Sequence, residues 1–130
     1  MGKTHRERQE NAIKTILFID ESESYRLLLS EELAEVGYKV VTAASPDEVL
    51  SRHENIKPDL LILELRQKTT PREGLEPLKK KYSNIPWIGY STFVQCPGSL
   101  KNWIHFYLSK SAEIQALKNL ITSLSTKSFQ

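Results

Sequence analysis

Two short segments of the chain are apolar at every position: residues 16–19 read ILFI and Leu60–Leu63 reads LLIL. A strand with one solvated face alternates apolar and polar side chains, so continuous runs of this length are typical of strands covered on both faces. Three further candidate strands are Lys39–Ala43, residues 87–90 and residues 106–108. Because segments with helical patterns lie between them, the sequence predicts an α/β domain with a parallel sheet.

The first two helical segments carry start and stop signals. Ser45 followed by Pro46 and Glu48 is typical of a capped helix start with proline at the first helical position. Gly37 is a typical residue just beyond a helix C-terminus. It follows a set of apolar residues that are predicted to share one helix face: Tyr25, Leu28, Leu29, Leu33 and Val36.

The last two helical segments differ in length. Ser111 is predicted to be the N-cap of a final amphipathic helix that contains Leu117 and Ile121 on its apolar side. Only residues 97–103 are available for a helix between the fourth and fifth strands, so we expect that helix to be short or irregular.

The length and charge of the chain limit the classes of protein it can belong to. The 130 residues have room for one domain, predicted at 14–126 between tails at 1–13 and 127–130. A net charge of +2 gives no basic footprint for nucleic acid, and no apolar run approaches the roughly 20 residues that span a bilayer. The first dozen residues lack the apolar stretch of a signal peptide, and the single Cys96 excludes an internal disulfide. We therefore expect a cytoplasmic protein.

Polar residues follow the predicted strands at the end where parallel sheets bind ligands. Each has an ordinary explanation taken alone: an acid at a helix N-terminus, a solvated loop acid, a turn hydroxyl or a surface lysine. Together they predict a site, because each stands at the same end of its strand. The residues are Asp20 and Glu21 after the first strand, Glu64 after the third, Ser91 after the fourth and Lys110 after the fifth.

Taken in order, these segments resemble the receiver domain of response regulators. The similar segments are residues 16–21 (ILFIDE), 58–64 (PDLLILE), 88–92 (IGYST) and 107–110 (YLSK), within a resemblance that runs from about residue 14 to residue 124. The resemblance implies a flavodoxin-like (βα)5 doubly wound sheet in strand order 2-1-3-4-5. It also implies a non-enzymatic signalling domain of a two-component phosphorelay.

The resemblance assigns a role to each residue at the predicted site. In that family two acids and an acceptor aspartate hold Mg²⁺, and the acceptor takes a phosphoryl group from a histidine kinase. A hard cation such as Mg²⁺ prefers carboxylate and water oxygens. Carried over by position, the metal ligands are Asp20, Glu21 and Glu64, the phosphoacceptor position is Glu64, the switch hydroxyl is Ser91, the switch aromatic is Tyr107 and the phosphate partner is Lys110.

Several residues depart from the family pattern within the phosphorylation pocket. Glu64 stands in place of the acceptor aspartate, and its extra methylene moves the carboxylate by roughly 1.5 Å, a misplacement that can cost about a factor of 100 in rate. Glu21 replaces the second acid of an aspartate pair. In the loop after Glu64, Lys68 stands where the family has proline, and Pro71 comes late. Ser111 follows Lys110 where the family has proline.

These departures favour a degenerate receiver that acts through protein–protein contacts, with Glu64 reaching toward Lys110 and Ser91 as a fixed charge. Weak or absent Mg²⁺ binding is expected. The alternative is a working Mg²⁺-dependent phosphoacceptor. In either case the expected partner is a histidine kinase or a downstream signalling protein, with no nucleic acid or membrane, and the chain is expected to be a monomer or weak dimer.

Other functions are less well supported by the residues. A flavin-binding protein of similar topology would need a phosphate cradle after the first strand, where this chain has the acids Asp20, Glu21 and Glu23. His53 and His105 have no spacing that suggests a shared metal, and Cys96 is interpreted as an ordinary loop cysteine. Trp103 is expected to pack in the core or at its edge, or else to form an exposed aromatic patch with Phe106 and Tyr107.

Overall fold

Five parallel strands form a single sheet in the computed structural model, which describes residues 13–66 and 72–126. The strands are β1 (Thr15–Ile19), β2 (Lys39–Ala43), β3 (Leu60–Leu63), β4 (Trp87–Ser91) and β5 (Phe106–Ser109). Their order in the sheet is β2-β1-β3-β4-β5. The predicted fold class and strand order are confirmed, and each predicted strand lies within one residue of its observed bounds.

Four α-helices and one short 3₁₀ turn connect or follow these strands. They are α1 (Glu23–Glu35), α2 (Pro46–Arg52), α3 (Arg72–Lys81), the 3₁₀ turn (Gly98–Leu100) and α4 (Ile114–Ser125). The expectation of a short, irregular connection between β4 and β5 is confirmed. No helix among the described residues is long and apolar enough to cross a membrane. The predicted tails, apart from Ile13, and the predicted positions of Lys68 and Pro71 lie outside the described residues.

The strands bury alternate side chains in two separate cores, one on each face of the sheet. Ile16 and Phe18 of β1 pack with Leu29 and Leu33 of α1 and with α4. Leu17 and Ile19 face the opposite way, toward α2 and α3. Burial on both faces is why the sequences of β1 and β3 are apolar at every position.

Helix α1 ends as the sequence predicts, but its exposed face is more apolar than expected. The hydroxyl of Ser22 accepts the amide N–H of Tyr25 at 3.3 Å, and Gly37 follows the helix with φ of 103°. Of the apolar residues predicted to share one helix face, Leu28 is 42% exposed and Val36 is 53% exposed. The residues of this helix that are fully buried are Leu29 and Leu33.

The cap of α2 is confirmed and that of α4 is corrected. Ser45 Oγ accepts the amide N–H of Glu48 at 3.2 Å. Helix α4 begins two residues later than its predicted start and has Glu113 as its N-cap, without a side-chain hydrogen bond. Ser111 is instead in the preceding turn, where its hydroxyl lies 2.9 Å from that of Ser109. The side-chain oxygen of Ser111 is thereby engaged by β5 rather than by a helix N-terminus.

Candidate functional site at the carboxyl edge of the sheet

Backbone hydrogen bonds continue the sheet for one residue beyond β1, β3 and β5 and so place three ionisable side chains at one edge. The amide N–H of Asp20 donates to Ala43 O at 3.0 Å, and that of Glu64 donates to Ile19 O at 2.9 Å. The amide N–H of Lys110 donates to Ser91 O at 2.6 Å. Because all strands are parallel, their carboxyl ends meet at this edge.

The ammonium group of Lys110 lies between two carboxylates. Its Nζ is 2.7 Å from Asp20 Oδ2 and 2.7 Å from Glu64 Oε1. The exposed fractions of the three side chains are 4% for Lys110, 3% for Asp20 and 7% for Glu64. The ordinary explanations that made Glu64 a solvated loop acid and Lys110 a surface charge are therefore wrong. At this burial the three charges depend on one another, since an unpaired charge here carries a desolvation penalty of several kcal/mol.

The remaining carboxylate oxygens are held by backbone amides. Asp20 Oδ1 accepts the N–H of Ser22 at 2.9 Å, and Glu64 Oε2 accepts the N–H of Arg66 at 2.8 Å. The guanidinium of Arg26 donates to the carbonyl of Asp20 at 2.7 Å and to that of Glu21 at 2.9 Å. Each acid therefore has one oxygen fixed by its own loop and one fixed by Lys110.

Two tyrosine rings form another wall around Lys110. Its Nζ lies 3.7 Å from the ring centroid of Tyr25, in the first turn of α1, and 5.8 Å from that of Tyr90, on β4. The rings contact each other edge to face, with centroids 6.4 Å apart and planes at 86°. Burial, and after it the neighbouring Tyr25 and Asp20, raise the pKa of Tyr90. Sequence reasoning missed both rings as parts of the site. The signal was present: an aromatic residue five positions after Asp20 and another directly before Ser91.

The predicted metal ligands do not fit a divalent cation as the structure arranges them. The space between Asp20 and Glu64 is filled by the ammonium of Lys110. Glu21, the third predicted ligand, is half-buried next to Asp20. No group of three or more acid, histidine or cysteine side chains in residues 13–66 and 72–126 is arranged to hold a metal ion. Metal binding by this chain remains a prediction.

Ser91 and Tyr107, the predicted switch pair, lie close to each other at this edge. Ser91 Oγ is buried and has no hydrogen-bond partner in the described part of the chain. Of the two side chains toward which Glu64 was expected to reach, its carboxylate hydrogen-bonds that of Lys110. The hydroxyl of Tyr107 lies near that of Ser91 but donates to the backbone carbonyl of Phe93. Burial raises the pKa of Tyr107, with smaller contributions from Cys96 and Glu64.

Arg66 joins the loop after β3 to the loop after β4. Its guanidinium donates to Thr92 Oγ1 at 3.2 Å and lies 5.7 Å from the ring centroid of Phe93. Since Arg66 also gives its amide N–H to Glu64, and Phe93 accepts from Tyr107, contacts connect Glu64 with Tyr107 on a route that does not include Ser91. The sequence offered no signal for this route, because Arg66 and Phe93 are ordinary loop residues by type.

The residues considered for other chemistry, Cys96 and His105, have the features of structural residues. Burial raises the pKa of the Cys96 thiol, which is the opposite of an activated nucleophile and agrees with the loop-cysteine interpretation. His105 Nδ1 accepts the amide N–H of Trp87 at 2.9 Å, so this ring serves to join β4 to the segment before β5. Trp87 is fully buried, and Trp103 is partly buried against the same core.

The chain is similar to known proteins, although no protein-family model matches it. Over 52 residues it is 42% identical to the alkaline phosphatase synthesis transcriptional regulatory protein PhoP of Bacillus subtilis, an alignment that covers 40% of this chain and 22% of PhoP. The chain thus spans about a fifth of the length of this relative.

Solved structures cover almost the whole domain. The response regulator TrrA of Thermotoga maritima, solved in complex with Mg(2+)-BeF, is 26% identical with a TM-score of 0.68, and the match covers 86% of this chain and 99% of TrrA. Over most of its length the chain is similar to response-regulator receiver domains. The chemotaxis response regulator CheY4 of Vibrio cholerae shares the receiver fold with a TM-score of 0.71 at 21% identity, covering 85% of this chain and 98% of CheY4.

Two further facts follow from these relatives. Receiver domains of response regulators are not enzymes, so the expectation of a non-enzymatic domain agrees with the match. TrrA has also been solved in complex with the histidine kinase ThkA, where it matches this chain at 28% identity with a TM-score of 0.72, over 86% of this chain and 98% of that TrrA chain. One response regulator similar to this chain, TrrA, has therefore been solved both with Mg(2+)-BeF and with a histidine kinase.

Proposed function

We propose that this receiver domain serves two-component signalling through protein–protein contacts, without a phosphorylation cycle, and that Glu64 supplies a fixed negative charge at the phosphoacceptor position. The observation that carries the proposal is the buried arrangement of Glu64, Lys110 and Asp20, with both Nζ–O distances at 2.7 Å. Each carboxylate oxygen of Asp20 and Glu64 thereby has a hydrogen-bond partner within the chain.

The arrangement opposes phosphoryl transfer in two ways. A carboxylate that attacks phosphorus needs a free oxygen in line with the donor, whereas Glu64 Oε1 is bound to Lys110 and Oε2 to the amide of Arg66. Phosphoryl transfer also depends on cations that stabilise the developing charge on the phosphoryl oxygens. The charge of Lys110 is already balanced by two carboxylates at hydrogen-bond distance.

The proposed partner is a histidine kinase or a downstream signalling protein. The kinase complex of TrrA supports this choice of partner class. Apolar side chains that a protein partner can cover are exposed on α1, at Leu27 and Leu28, and in the loop after β4, at Phe93 and Val94. The aromatic patch considered from the sequence differs from this surface, since Trp103, Phe106 and Tyr107 are each partly buried.

Intact-mass spectrometry after incubation with acetyl phosphate and Mg²⁺ tests the proposal. The wild-type protein is expected to gain no phosphoryl mass. Glu64→Asp, which shortens the side chain by one methylene, is expected to gain partial labelling, because it withdraws the carboxylate toward the backbone and away from Lys110. Glu64→Gln is the matched control that removes the nucleophilic carboxylate at constant length. Labelling of wild-type protein that Glu64→Gln abolishes would contradict the proposal.

The same experiment addresses the second candidate function, a working Mg²⁺-dependent phosphoacceptor. Its support is the similarity to TrrA, whose structure contains Mg(2+)-BeF. Wild-type labelling at Glu64 that requires Mg²⁺ would establish it.

A further inference from the structure

We propose that Tyr25 and Tyr90 are positioning residues that, with Asp20 and Glu64, enclose the ammonium of Lys110 in a cation cage, so that Lys110 is the resident cation of this pocket in place of a divalent metal. The inference deepens the proposed function and rests on it only in taking the pocket as a fixed charge cluster. The four side chains named here are called the Lys110 cage.

Three kinds of contact hold the ammonium in place. The two carboxylates supply hydrogen-bond acceptors at 2.7 Å, and the ring of Tyr25 presents its face at 3.7 Å from Nζ. Tyr90 is more distant at 5.8 Å and supports Tyr25 through an edge-to-face contact. The negative face of an aromatic ring attracts a cation, most strongly where water is excluded. With 4% of the Lys110 side chain exposed, water is largely excluded here.

Tyr25 is itself held by elements that do not depend on Lys110. Its amide N–H donates to Ser22 Oγ, the cap of α1. Its ring packs against the core that contains Tyr90, Leu29 and Leu33. The position of the Tyr25 ring is therefore set by contacts other than those with Lys110. A ring held in this way can fix the orientation of a long, flexible lysine side chain.

The cage has a consequence for ions. A divalent cation can bridge Asp20 and Glu64 only if the ammonium of Lys110 leaves the space between them. The ring of Tyr25 opposes that movement, because the departing ammonium loses the aromatic face together with both carboxylates. Removing the aromatic ring of Tyr25 should therefore strengthen the binding of Mg²⁺, although Tyr25 itself has no carboxylate with which to bind the ion.

The test compares Tyr25→Leu, which removes the aromatic face, with Tyr25→Phe, which retains it and removes only the hydroxyl. Two readouts are used on the full chain: the proton–nitrogen NMR correlation of the Lys110 ammonium, and titration with Mg²⁺ followed by NMR. In wild type and Tyr25→Phe the ammonium signal is expected to be visible, with slow proton exchange and an upfield shift from the ring. In Tyr25→Leu the signal is expected to be lost to exchange, and Mg²⁺ affinity is expected to rise about tenfold over that of Tyr25→Phe.

The outcomes separate this proposal from the proposed function. Equal ammonium signals and equal Mg²⁺ affinities in the Leu and Phe variants would overturn the cage. If Tyr25→Leu does not fold, the wild-type spectrum decides alone: a Lys110 ammonium that exchanges rapidly and shows no ring-current shift overturns the cage. Labelling of wild type by acetyl phosphate would instead refute the proposed function, and it is measured by mass, independently of both readouts.

Discussion

Glu64 and Lys110 are separated by 46 residues in the chain and meet at 2.7 Å, with both side chains almost completely buried. Their contact links the ends of β3 and β5, which are not neighbours in the sheet. Asp20 adds the end of β1 to the same contact. Lys110 thus connects the ends of three strands at the carboxyl edge. We therefore expect it to stabilise the sheet as well as the pocket.

The first prediction concerns the stability supplied by this lysine. Lys110→Met leaves the carboxylates of Asp20 and Glu64 buried without their cation, so it is expected to lower the free energy of unfolding by about 3–5 kcal/mol. Urea denaturation measures the loss. The matched control is Lys118→Met, which breaks a 2.6 Å pair with Glu32 that is more exposed. That change should cost no more than about 1 kcal/mol, and equal losses in the two variants would show that burial of the cluster is unimportant.

A second prediction follows from the burial of Glu64, which is 6% exposed. Glu64→Gln keeps the length of the side chain but removes a charge that faces Lys110, so the loss of unfolding free energy is expected to be about 1–3 kcal/mol. Glu32→Gln, at the exposed pair with Lys118, is the comparison and should cost less than about 1 kcal/mol. A Glu64→Gln protein as stable as wild type would show that the buried charge of Glu64 contributes nothing to the free energy of unfolding.

The third prediction is a pH dependence that arises from His105. Partial burial, and after it the nearby charge of Lys79, lower the pKa of this histidine. Its Nδ1 accepts the amide N–H of Trp87, a contact that only the unprotonated nitrogen can make. Because the folded pKa is below the unfolded value of about 6.5, the contribution to stability is present above that value and is lost as the pH falls through the folded pKa.

Urea denaturation between pH 7 and pH 5 measures this loss, which is expected to be at most about 1 kcal/mol, the net value of one hydrogen bond, because His105 is exposed and solvent screens its charge. In His105→Asn an amide oxygen replaces Nδ1 and does not titrate, so the part of the slope that comes from this residue should disappear. Identical pH slopes for wild type and His105→Asn would contradict the assignment.

The fourth prediction concerns the close packing of β4 beneath Tyr107. A Cβ at Gly89 would lie 2.7 Å from Ile104 Cδ1 and 3.1 Å from Tyr107 Cδ1. Gly89→Ala is therefore expected to lower the free energy of unfolding by about 1–3 kcal/mol, the usual range for overpacking. Gly98→Ala is the control, since nothing lies within 4 Å of its added Cβ. Its expected effect is within about 0.5 kcal/mol, and thermal or urea unfolding distinguishes the two.

The fold could be predicted from the sequence because each of its signals was local. Runs of apolar residues in β1 and β3 reported burial on both faces, and Gly37 and Ser45 marked helix ends with conformations that few other residues favour. Placement of Asp20, Glu64 and Lys110 at one edge followed from strand direction alone.

The remaining features depend on tertiary packing that no local pattern records. Leu28 matches the helical spacing but faces solvent, because α1 buries only a narrow stripe at Leu29 and Leu33. Serine is a common N-cap residue, but the hydroxyl of Ser111 contacts that of Ser109 instead of a helix N-terminus. The aromatic wall at Lys110 needed a helix residue and a strand residue to converge, and sequence distance gives no measure of that.

The 3₁₀ turn at Gly98–Leu100 has a consequence for local unfolding of the protein. It makes few backbone hydrogen bonds, such as Leu100 N–H to Pro97 O at 2.9 Å, and the side chains that it lays over the sheet, Leu100 and Trp103, are only partly buried. Segments with few protected amides and shallow packing open at the lowest free energy. Amide hydrogen exchange should therefore be faster in the connection from β4 to β5 than in α1 and α2, the helices that connect β1 to β2 and β2 to β3. Transient opening of this connection would expose the edge strand β5 and Tyr107. Strands β1 and β3, which are followed by Asp20 and Glu64, would remain packed.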